Sequence, residues 1–428
     1  MDIDIHLNGS WHPCVSVNLR DTAQASRRGG VTLRYDAEYA LRNLHALDFR
    51  ALSVRAPVDL GIRTLPQWPS FLIDLLPQGA ARKRLERGLE SPLSEWRLLE
   101  RGAVNPVGNL RVRPAATQER RSHPGFDLQD MLTRGDAFID HAYEVGAVVA
   151  GSTDTQGEAP KFWVVEDDSG RWHPDDGHLG EIARRYALLK FPLPEAGQRA
   201  TDILRHEAAY QRVAARLGLR VTPEMPEFID GALLIPRFDR RRTDRGEIRW
   251  GVESLYSVAG IVDSAQTPLR HHEALIALYG CLTDFDGEIL EYFRRDILNI
   301  ALGNRDNHGR NTAILKDPAG SMRLAPIFDF GPAFLDARAI VRTMHWDGEQ
   351  SGQTNWNTVI LNLAMRFEDA NLVLAGVKEI AKALAAFARD LKHLPNLMRE
   401  CGVDGAIIAQ RRAPIESLIH SLEKVSVP

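Results

Sequence analysis

The sequence predicts an α+β chain with a β-rich N-terminal subdomain, a central mixed sheet and a mostly helical C-terminal lobe. Residues 1–60 alternate polar and apolar side chains between turn residues, which is the pattern of half-buried strands. Residues 140–250 contain apolar strand runs around one long helical pattern. From residue 253 onward the apolar spacing is mostly helical, apart from one hairpin. A chain of 428 residues is long enough for two to three cores of this kind.

The N-terminal subdomain begins with strand-like runs such as Ile3–Leu7 and Val31–Tyr35. The pattern becomes helical at Phe71, and the unit closes near Pro114. The polar segment over residues 115–123 is typical of a linker. The predicted units are therefore residues 1–114, 124–250 and 251–428.

The central unit contains two strand runs, Lys161–Val165 and Tyr186–Phe191. A helix is predicted over Asp202–Leu217, and Gly218 is the signal that ends it. The dipeptide Asp230–Gly231 lies between two apolar runs and is the strongest short hairpin signal in the chain. These elements predict a mixed sheet with one embedded helix.

The C-terminal lobe contains a predicted helix, Leu290–Leu302, whose apolar face excludes Arg294–Asp296. Gly303 and Asn304 follow it and end it. Two short strand runs then flank the turn Asp317–Gly320. Because a hairpin of that size returns the chain to its starting end, the residues after it are expected beside the loop that precedes it.

Three polar residues around this hairpin stand in the order of a phosphoryl-transfer site. Asn311 follows Asp306 by five positions, and Asp329 begins an Asp-Phe-Gly tripeptide after the hairpin. Phosphoryl transfer needs one carboxylate to deprotonate the attacking hydroxyl, and an Asn with a second carboxylate to hold Mg²⁺ ions. Asp306 is therefore the candidate catalytic base, and Asn311 and Asp329 are candidate metal ligands. The alternative is a polar surface turn near an unrelated tripeptide.

Upstream residues are candidates for binding the nucleotide. Gly157 belongs to a small polar loop, residues 151–161, which can bring backbone N–H groups against phosphates before Lys161. The loop does not match the P-loop pattern. Lys190 ends a strand run and Glu207 lies on the following helix, so loop, Lys, Glu and catalytic Asp occur in protein-kinase order. The alternatives are a plain surface loop and a solvated lysine.

A charged connection after the second hairpin strand is the candidate hinge that contacts the nucleotide base. It spans Arg237–Arg242, where Arg237, Phe238 and Asp239 are the candidate contacts and the Asp239 carboxylate is available to a ribose hydroxyl. Pro236 removes one backbone donor there. The alternative is a solvated charged turn. His308, a candidate for the nucleotide site, is interpreted as hydrogen-bonding support for the catalytic loop, because it lacks an HxxxH or HxH partner. The alternative is a metal ligand or general base.

Composition limits the remaining classes. A net charge of -4 and a pI near 6.4 argue against an electrostatic nucleic-acid or membrane binder. Cys14, Cys281 and Cys401 are odd in number and lack CxxC spacing, so neither a disulfide framework nor a Cys-based zinc site is expected, and a reducing cytoplasm fits. The sequence also lacks an apolar signal segment and a run long enough to span a bilayer.

With these residues in place, the chain resembles the HipA-like Ser/Thr kinase family, the toxin kinases of bacterial toxin–antitoxin pairs. The resemblance covers nearly the whole chain, and its catalytic-loop and metal segments are the specific ones. The similar segments are Phe71–Gly79, Gly157–Lys161, Ile235–Arg240, Gly303–Asn311 and Leu324–Asp329.

The resemblance implies a two-lobed, protein-kinase-like fold that uses ATP and Mg²⁺. It implies Asp306 as catalytic base, Asn311 and Asp329 as Mg²⁺ ligands, and Lys161 and Lys190 on the ATP phosphates. It also implies a protein hydroxyl as substrate, with aminoacyl-tRNA synthetases among the family's targets. The implied partner is a small helix-turn-helix antitoxin, so that DNA is reached only through that partner.

One departure from the family lies in the phosphate loop. Asp154 stands where some members carry a regulatory, autophosphorylated Ser. We expect either modification of Ser152, Thr153 or Thr155, or a loop in which Asp154 supplies a fixed negative charge. Two other functions remain open: a small-molecule phosphotransferase on the same scaffold, and a nucleotide-binding regulatory protein with vestigial catalysis.

Overall fold

Two five-stranded sheets and one three-stranded sheet, all antiparallel, organise the computed structural model. The structure describes residues 1–77, 79–86, 89–113, 123–145, 160–192, 197–350 and 353–426. The predicted linker therefore lies almost wholly outside the described residues, and the proposed division into residues 1–114, 124–250 and 251–428 stays a prediction.

The N-terminal sheet has its own apolar core. Along one strand, Val31, Leu33 and Tyr35 are buried while the residues between them are not, as the sequence alternation predicts. The elements are β1 (Asp2–Leu7), β2 (Ser10–Leu19), β3 (Val31–Tyr35), α1 (Ala37–Arg42), β4 (Ile62–Leu65), α2 (Phe71–Asp74), α3 (Gly79–Glu86), α4 (Glu95–Gly102) and β5 (Leu110–Val112). The strand order is β4-β3-β2-β1-β5.

The central sheet carries one long helix against its later strands. Its elements are α5 (Leu128–Leu132), α6 (Asp136–Glu144), β6 (Lys161–Asp167), β7 (Trp172–Pro174), β8 (Ala183–Lys190), α7 (Gly197–Arg216), β9 (Glu227–Ile229) and β10 (Ala232–Pro236). The strand order is β7-β6-β8-β10-β9. Asp230 and Gly231 both have positive φ in the β9–β10 turn, which is the tight turn that their sequence predicts.

The C-terminal lobe places a long helix, α10, in the centre of its core. Its elements are β11 (Arg240–Thr243), β12 (Gly246–Arg249), β13 (Gly251–Ser254), α8 (Leu255–Ala259), α9 (His271–Tyr279), α10 (Phe285–Leu302), β14 (Ala313–Lys316), β15 (Met322–Leu324), β16 (Glu349–Gln350), β17 (Gln353–Thr354), α11 (Trp356–Asp369), α12 (Val377–Leu391), α13 (Leu394–Glu400) and α14 (Gly405–Glu423). Gly303 ends α10 in the left-handed conformation, as predicted. The predicted hairpin is β14–β15, to which β13 pairs.

The prediction that Arg295 and Asp296 lie off the buried face of α10 is wrong, because both are buried. Asp296 accepts hydrogen bonds from Arg342 and from the Trp346 indole, each at 2.7 Å, and from Asn307 at 3.0 Å. These donors come from later in the chain and compensate the buried charge.

No helix in the described ranges is both long and apolar enough to cross a membrane.

Candidate active site

The candidate active site is a cleft between the central sheet and the β13–β15 sheet. Its main cavity measures about 210 Å³ and has apolar walls formed by Trp163, Leu188, Ile235, Phe238 and Phe328. Four charged residues line both this cavity and a second cavity of about 150 Å³: Lys161, Lys190, Glu207 and Asp329. Asp306 lines the second cavity. The cleft therefore offers an apolar pocket, a charged middle and a carboxylate beyond it.

Lys190 joins two carboxylates in the middle of the cleft. Its Nζ donates to Glu207 Oε1 at 2.7 Å and to Asp329 Oδ1 at 2.6 Å. Burial opposes the charge of Lys190, but Asp329 and Glu207 outweigh burial and raise its pKa above the ordinary value. Burial likewise disfavours the charge of Asp329, but Lys190 and Lys161 hold its pKa well below the usual range. Lys190 and Asp329 are therefore both ionised at neutral pH.

Lys161 is the cross-strand neighbour of Lys190 in the β6–β8 pairing. Lys161 is half-buried and lines both cavities, and its side chain has no hydrogen bond or ion pair within the described part of the chain. Glu207 and Asp329 bind the Lys190 ammonium, and Asp329 also attracts Lys161. The Lys161 side chain keeps its hydrogen-bond donors for an anionic ligand.

The catalytic loop begins where α10 ends. Asn311 Nδ2 donates to the Asp306 carbonyl at 2.7 Å, which closes the loop between two residues that are five positions apart. Burial raises the pKa of the Asp306 carboxyl to about 7, and the nearby charge of Asp329 acts in the same direction, while Lys161 opposes both. A carboxylate with such a pKa changes its protonation state near neutral pH, as a general base requires.

His308 stabilises this loop from inside. Its Nδ1 accepts the Arg310 N–H at 3.2 Å, which places the proton of the neutral ring on Nε2, 3.6 Å from Asp306 Oδ1. The ring lies parallel to that of Tyr256, with 6.3 Å between centroids. A Cβ on Gly309 would come within 2.4 Å of the Tyr256 ring, so this packing requires glycine. His308 therefore lies within the loop and beside the candidate base, Asp306.

Asn311 and Asp329 each carry oxygen atoms of the kind that Mg²⁺ prefers, although Asn311 lines neither cavity. Asn311 Oδ1 is buried and has no hydrogen-bond partner among the described residues. Asp329 is ionised and adopts a positive φ of 51°, a strained conformation that is common at functional sites. Mg²⁺ binds oxygen ligands, and in phosphotransferases it takes one or two carboxylates together with substrate phosphates. The described residues contain no cluster of three or more His, Cys, Asp or Glu side chains arranged around one metal position.

In the hinge, Asp239 does not have the role that the sequence predicts. Arg237 forks onto Asp239 with bonds of 2.8 and 2.6 Å, and its guanidinium lies 3.8 Å from the centroid of the Trp163 ring. Asp239 also accepts the Gly108 N–H at 2.9 Å and Arg240 at 3.1 Å. Because these donors saturate the carboxylate, the interpretation of Asp239 as a ribose ligand is corrected: it ties the hinge to the N-terminal subdomain.

Phe238 lies in the apolar wall, where its ring stacks near Phe328 with 5.8 Å between centroids. The Phe238 N–H makes no hydrogen bond to any described residue, so the hinge keeps a backbone donor despite Pro236. Arg237 and Asp239 line the cavity but are engaged with each other.

Some predicted residues are not described, and some lining residues were not predicted. Gly157 and the candidate modification positions Ser152, Thr153, Asp154 and Thr155 lie outside the described residues. The lining residues that were not predicted include Asp74, Ser254 and Arg310. Asp74 belongs to the N-terminal segment that resembles the family, and Arg310 directly precedes Asn311. Their positions in the sequence could have marked Asp74 and Arg310 as candidate site residues, but only the fold shows that both line one cavity.

The fold and the cleft define a two-lobed, kinase-like protein, and the predicted fold class is confirmed. Residues 153–390 match the family model described as HipA-like C-terminal domain. The chain therefore belongs to the HipA-like family.

Two known proteins are similar to this chain. A protein of Sinorhizobium fredii (strain NBRC 101917 / NGR234), named "Putative kinase Y4mE", is 28% identical over 284 residues, which are 60% of this chain and 63% of that protein. The match thus spans less than two thirds of that relative's length. The structure titled "Shewanella oneidensis MR-1 Toxin Antitoxin System HipA, HipB and its operator DNA complex" contains a chain that is 15% identical, with a TM-score of 0.66 over 99% of this chain and 97% of that chain. At that identity, the match shows a shared fold.

Proposed function

We propose that this protein is an ATP- and Mg²⁺-dependent Ser/Thr protein kinase of the HipA type. The observation that carries the proposal is the Lys190 bridge between Glu207 and Asp329, with Asp306 in the adjoining cavity. Protein kinases hold the ATP phosphates with a strand lysine that is paired to a helix glutamate. The family membership supports the same function.

The residues of the cleft divide the reaction between them. Lys161 and Lys190 hold the phosphates, and Asn311 and Asp329 would hold Mg²⁺, which neutralises charge on the transferring phosphoryl group. The oxygen of the acceptor hydroxyl bonds to the γ-phosphorus, and Asp306 accepts the proton that this hydroxyl loses. The bond from that phosphorus to the β–γ bridging oxygen breaks, and ADP leaves.

Transfer from γ-labelled ATP to cell-lysate proteins tests the proposal. The wild type should label protein, while Asp306→Asn and Asp329→Asn should lose several orders of magnitude in rate and retain their circular dichroism. Asp390→Asn is the matched control, since Asp390 is exposed at the end of α12 and its carboxylate has no hydrogen-bond or ion-pair partner in the described chain. Label on a metabolite would identify a small-molecule phosphotransferase. Binding of ATP without transfer would identify a regulatory protein.

We also propose a small helix-turn-helix antitoxin as partner, and action on a translation-related protein such as an aminoacyl-tRNA synthetase. The support is the full-length match in fold to a HipA chain whose title names HipB and operator DNA. The cytoplasm is the proposed location, because Cys14, Cys281 and Cys401 are all free, buried thiols. Phosphoproteomics of cells that express wild type or Asp306→Asn tests the target class: phosphosites that appear equally in both would contradict it.

A further inference from the structure

We propose that the N-terminal subdomain supplies the ribose site of the cleft, with the Asp74 carboxylate accepting hydrogen bonds from the ribose hydroxyls of the bound nucleotide. The inference rests on the proposed nucleotide binding. It assigns to residues 1–114 a direct part in that binding.

Asp74 is the last residue of α2, and it reaches across to the C-terminal lobe. Its Oδ1 accepts the Ser254 hydroxyl at 2.7 Å, and its Oδ2 accepts the Ser254 N–H at 2.9 Å. Both residues line the main cavity. A carboxylate has about four acceptor positions, so two hydrogen bonds to Ser254 fix its orientation and leave acceptor capacity for a ligand.

Elimination among the lining carboxylates selects Asp74. Within the described chain, four carboxylates line the main cavity: Asp74, Glu207, Asp239 and Asp329. Glu207 and Asp329 are paired with Lys190, where the phosphates belong. Asp239 is only 3% exposed and is saturated by two arginines and a backbone N–H. Asp74 is the remaining carboxylate, and a carboxylate is the group with which nucleotide-binding folds commonly recognise ribose hydroxyls.

Arg310 completes this corner of the cavity. It lines the cavity, and its side chain has no hydrogen-bond or ion-pair partner in the described ranges. Burial raises the pKa of Asp74 to about 6, while the hydrogen bonds from Ser254 and the charge of Arg310 oppose that rise. Asp74 therefore stays mostly ionised at pH 7.5, the form that accepts hydrogen bonds most strongly.

The corner is held rigidly, which a binding site needs. The Ser254 hydroxyl accepts the Ser257 N–H at 3.1 Å and so caps α8. Tyr256 of α8 packs on Gly309 and His308 of the catalytic loop. Asp74 is thereby fixed to the same element that supports the loop of Asp306.

Calorimetric titration at pH 7.5 with the Mg²⁺ complexes of ATP, 2′-deoxy-ATP and 3′-deoxy-ATP tests this assignment. The wild type should bind at least one deoxynucleotide roughly 10- to 100-fold more weakly than ATP, since a hydrogen bond to a charged group is lost. The ratio should shrink in Asp74→Asn and approach one in Asp74→Ala. Asp390→Asn should keep the wild-type ratio.

Two results overturn the ribose assignment: a wild type that binds all three nucleotides equally, and Asp74 variants that bind ATP and keep the full wild-type ratio. The first needs no variant, so it holds even if Asp74→Ala fails to fold. A wild type that binds none of the three nucleotides contradicts the proposed function itself.

Discussion

Lys190 and Asp329 lie 139 positions apart in the chain, yet their side chains meet at 2.6 Å inside the cleft. Glu207 contacts the same ammonium from α7, so one cation is held between two carboxylates on separate elements. The bridge keeps Asp329 ionised and in place before any nucleotide arrives.

Replacing Lys190 by methionine should destabilise the protein as well as inactivate it. The variant leaves Glu207 and Asp329 buried near each other without a cation, which costs about 3 to 5 kcal/mol in comparable buried pairs. Because protonation of a carboxylate relieves that repulsion, the loss in free energy of unfolding should be smaller at pH 5.5 than at pH 8. Urea titrations at the two pH values measure it, and an equal loss at both would contradict the role of the bridge.

The transfer rate should rise with pH through about 7 as Asp306 loses its proton. Below its pKa of about 7, kcat/KM should fall about tenfold for each pH unit. Rates measured from pH 5.5 to 8.5 at substrate concentrations well below KM check this. A flat profile over that range would show that Asp306 does not act as the titrating base.

Replacing Asp306 by asparagine should stabilise the fold at high pH. Its folded-state pKa lies above its ordinary value, so ionisation costs folding energy that appears as pH rises from about 4 towards 7. Asparagine removes this cost, and the gain should be up to about 4 kcal/mol at pH 8 and near zero at pH 4. Denaturant titration at both pH values measures it; a gain that is larger at pH 4 would have the wrong sign.

Replacing Asn311 by alanine should weaken the Mg²⁺ dependence of ATP binding. The buried Oδ1 has no hydrogen-bond partner in the described chain, and its removal takes away one ligand of the expected ion. The Mg²⁺ concentration at half-maximal ATP binding should rise about tenfold or more. Binding of ATP in the presence of EDTA should stay unchanged. An unaltered Mg²⁺ titration would exclude Asn311 as a ligand.

Replacing Gly309 by alanine should disturb the catalytic loop, because the added Cβ would lie 2.4 Å from the Tyr256 ring. Overpacking of this kind costs about 1 to 3 kcal/mol, and transfer should fall more than ATP affinity. Gly405→Ala is the matched control, since a Cβ added at Gly405 would meet no neighbouring atom within 4 Å. Equal behaviour of the two variants in melting and transfer assays would contradict the packing argument.

Local patterns in the sequence were sufficient for the elements around the site. The β9–β10 turn, the end of α10 at Gly303 and the β14–β15 hairpin all depend on nearest-neighbour chemistry, and each was predicted correctly. Helix α7 was found as well, although it begins at Gly197 rather than at Asp202. Helix starts depend on capping contacts that are weakly marked in sequence.

Hydrogen bonds and ion pairs between residues that are distant in sequence were harder to predict from local patterns. Asp239 was interpreted as available to a ribose hydroxyl, but Gly108, Arg237 and Arg240 donate hydrogen bonds to it in the fold. Asp296 was predicted to lie off the buried face of α10, but it is buried and accepts hydrogen bonds from Arg342 and Trp346. Long-range partners determine whether a charge is buried, and no local pattern encodes them.

The sequence by itself determined the α+β class, the order of the candidate catalytic and nucleotide-binding residues, and the resemblance to a family that residues 153–390 confirm. Spacing and residue type carry that information, because a turn, a helix end and an Asp-to-Asn interval are local. Only the tertiary structure decided which carboxylate remains available: Asp239 is consumed by arginines, while Asp74 from the N-terminal subdomain lines the cavity. Availability is a property of the surrounding donors, and those donors are assembled by folding.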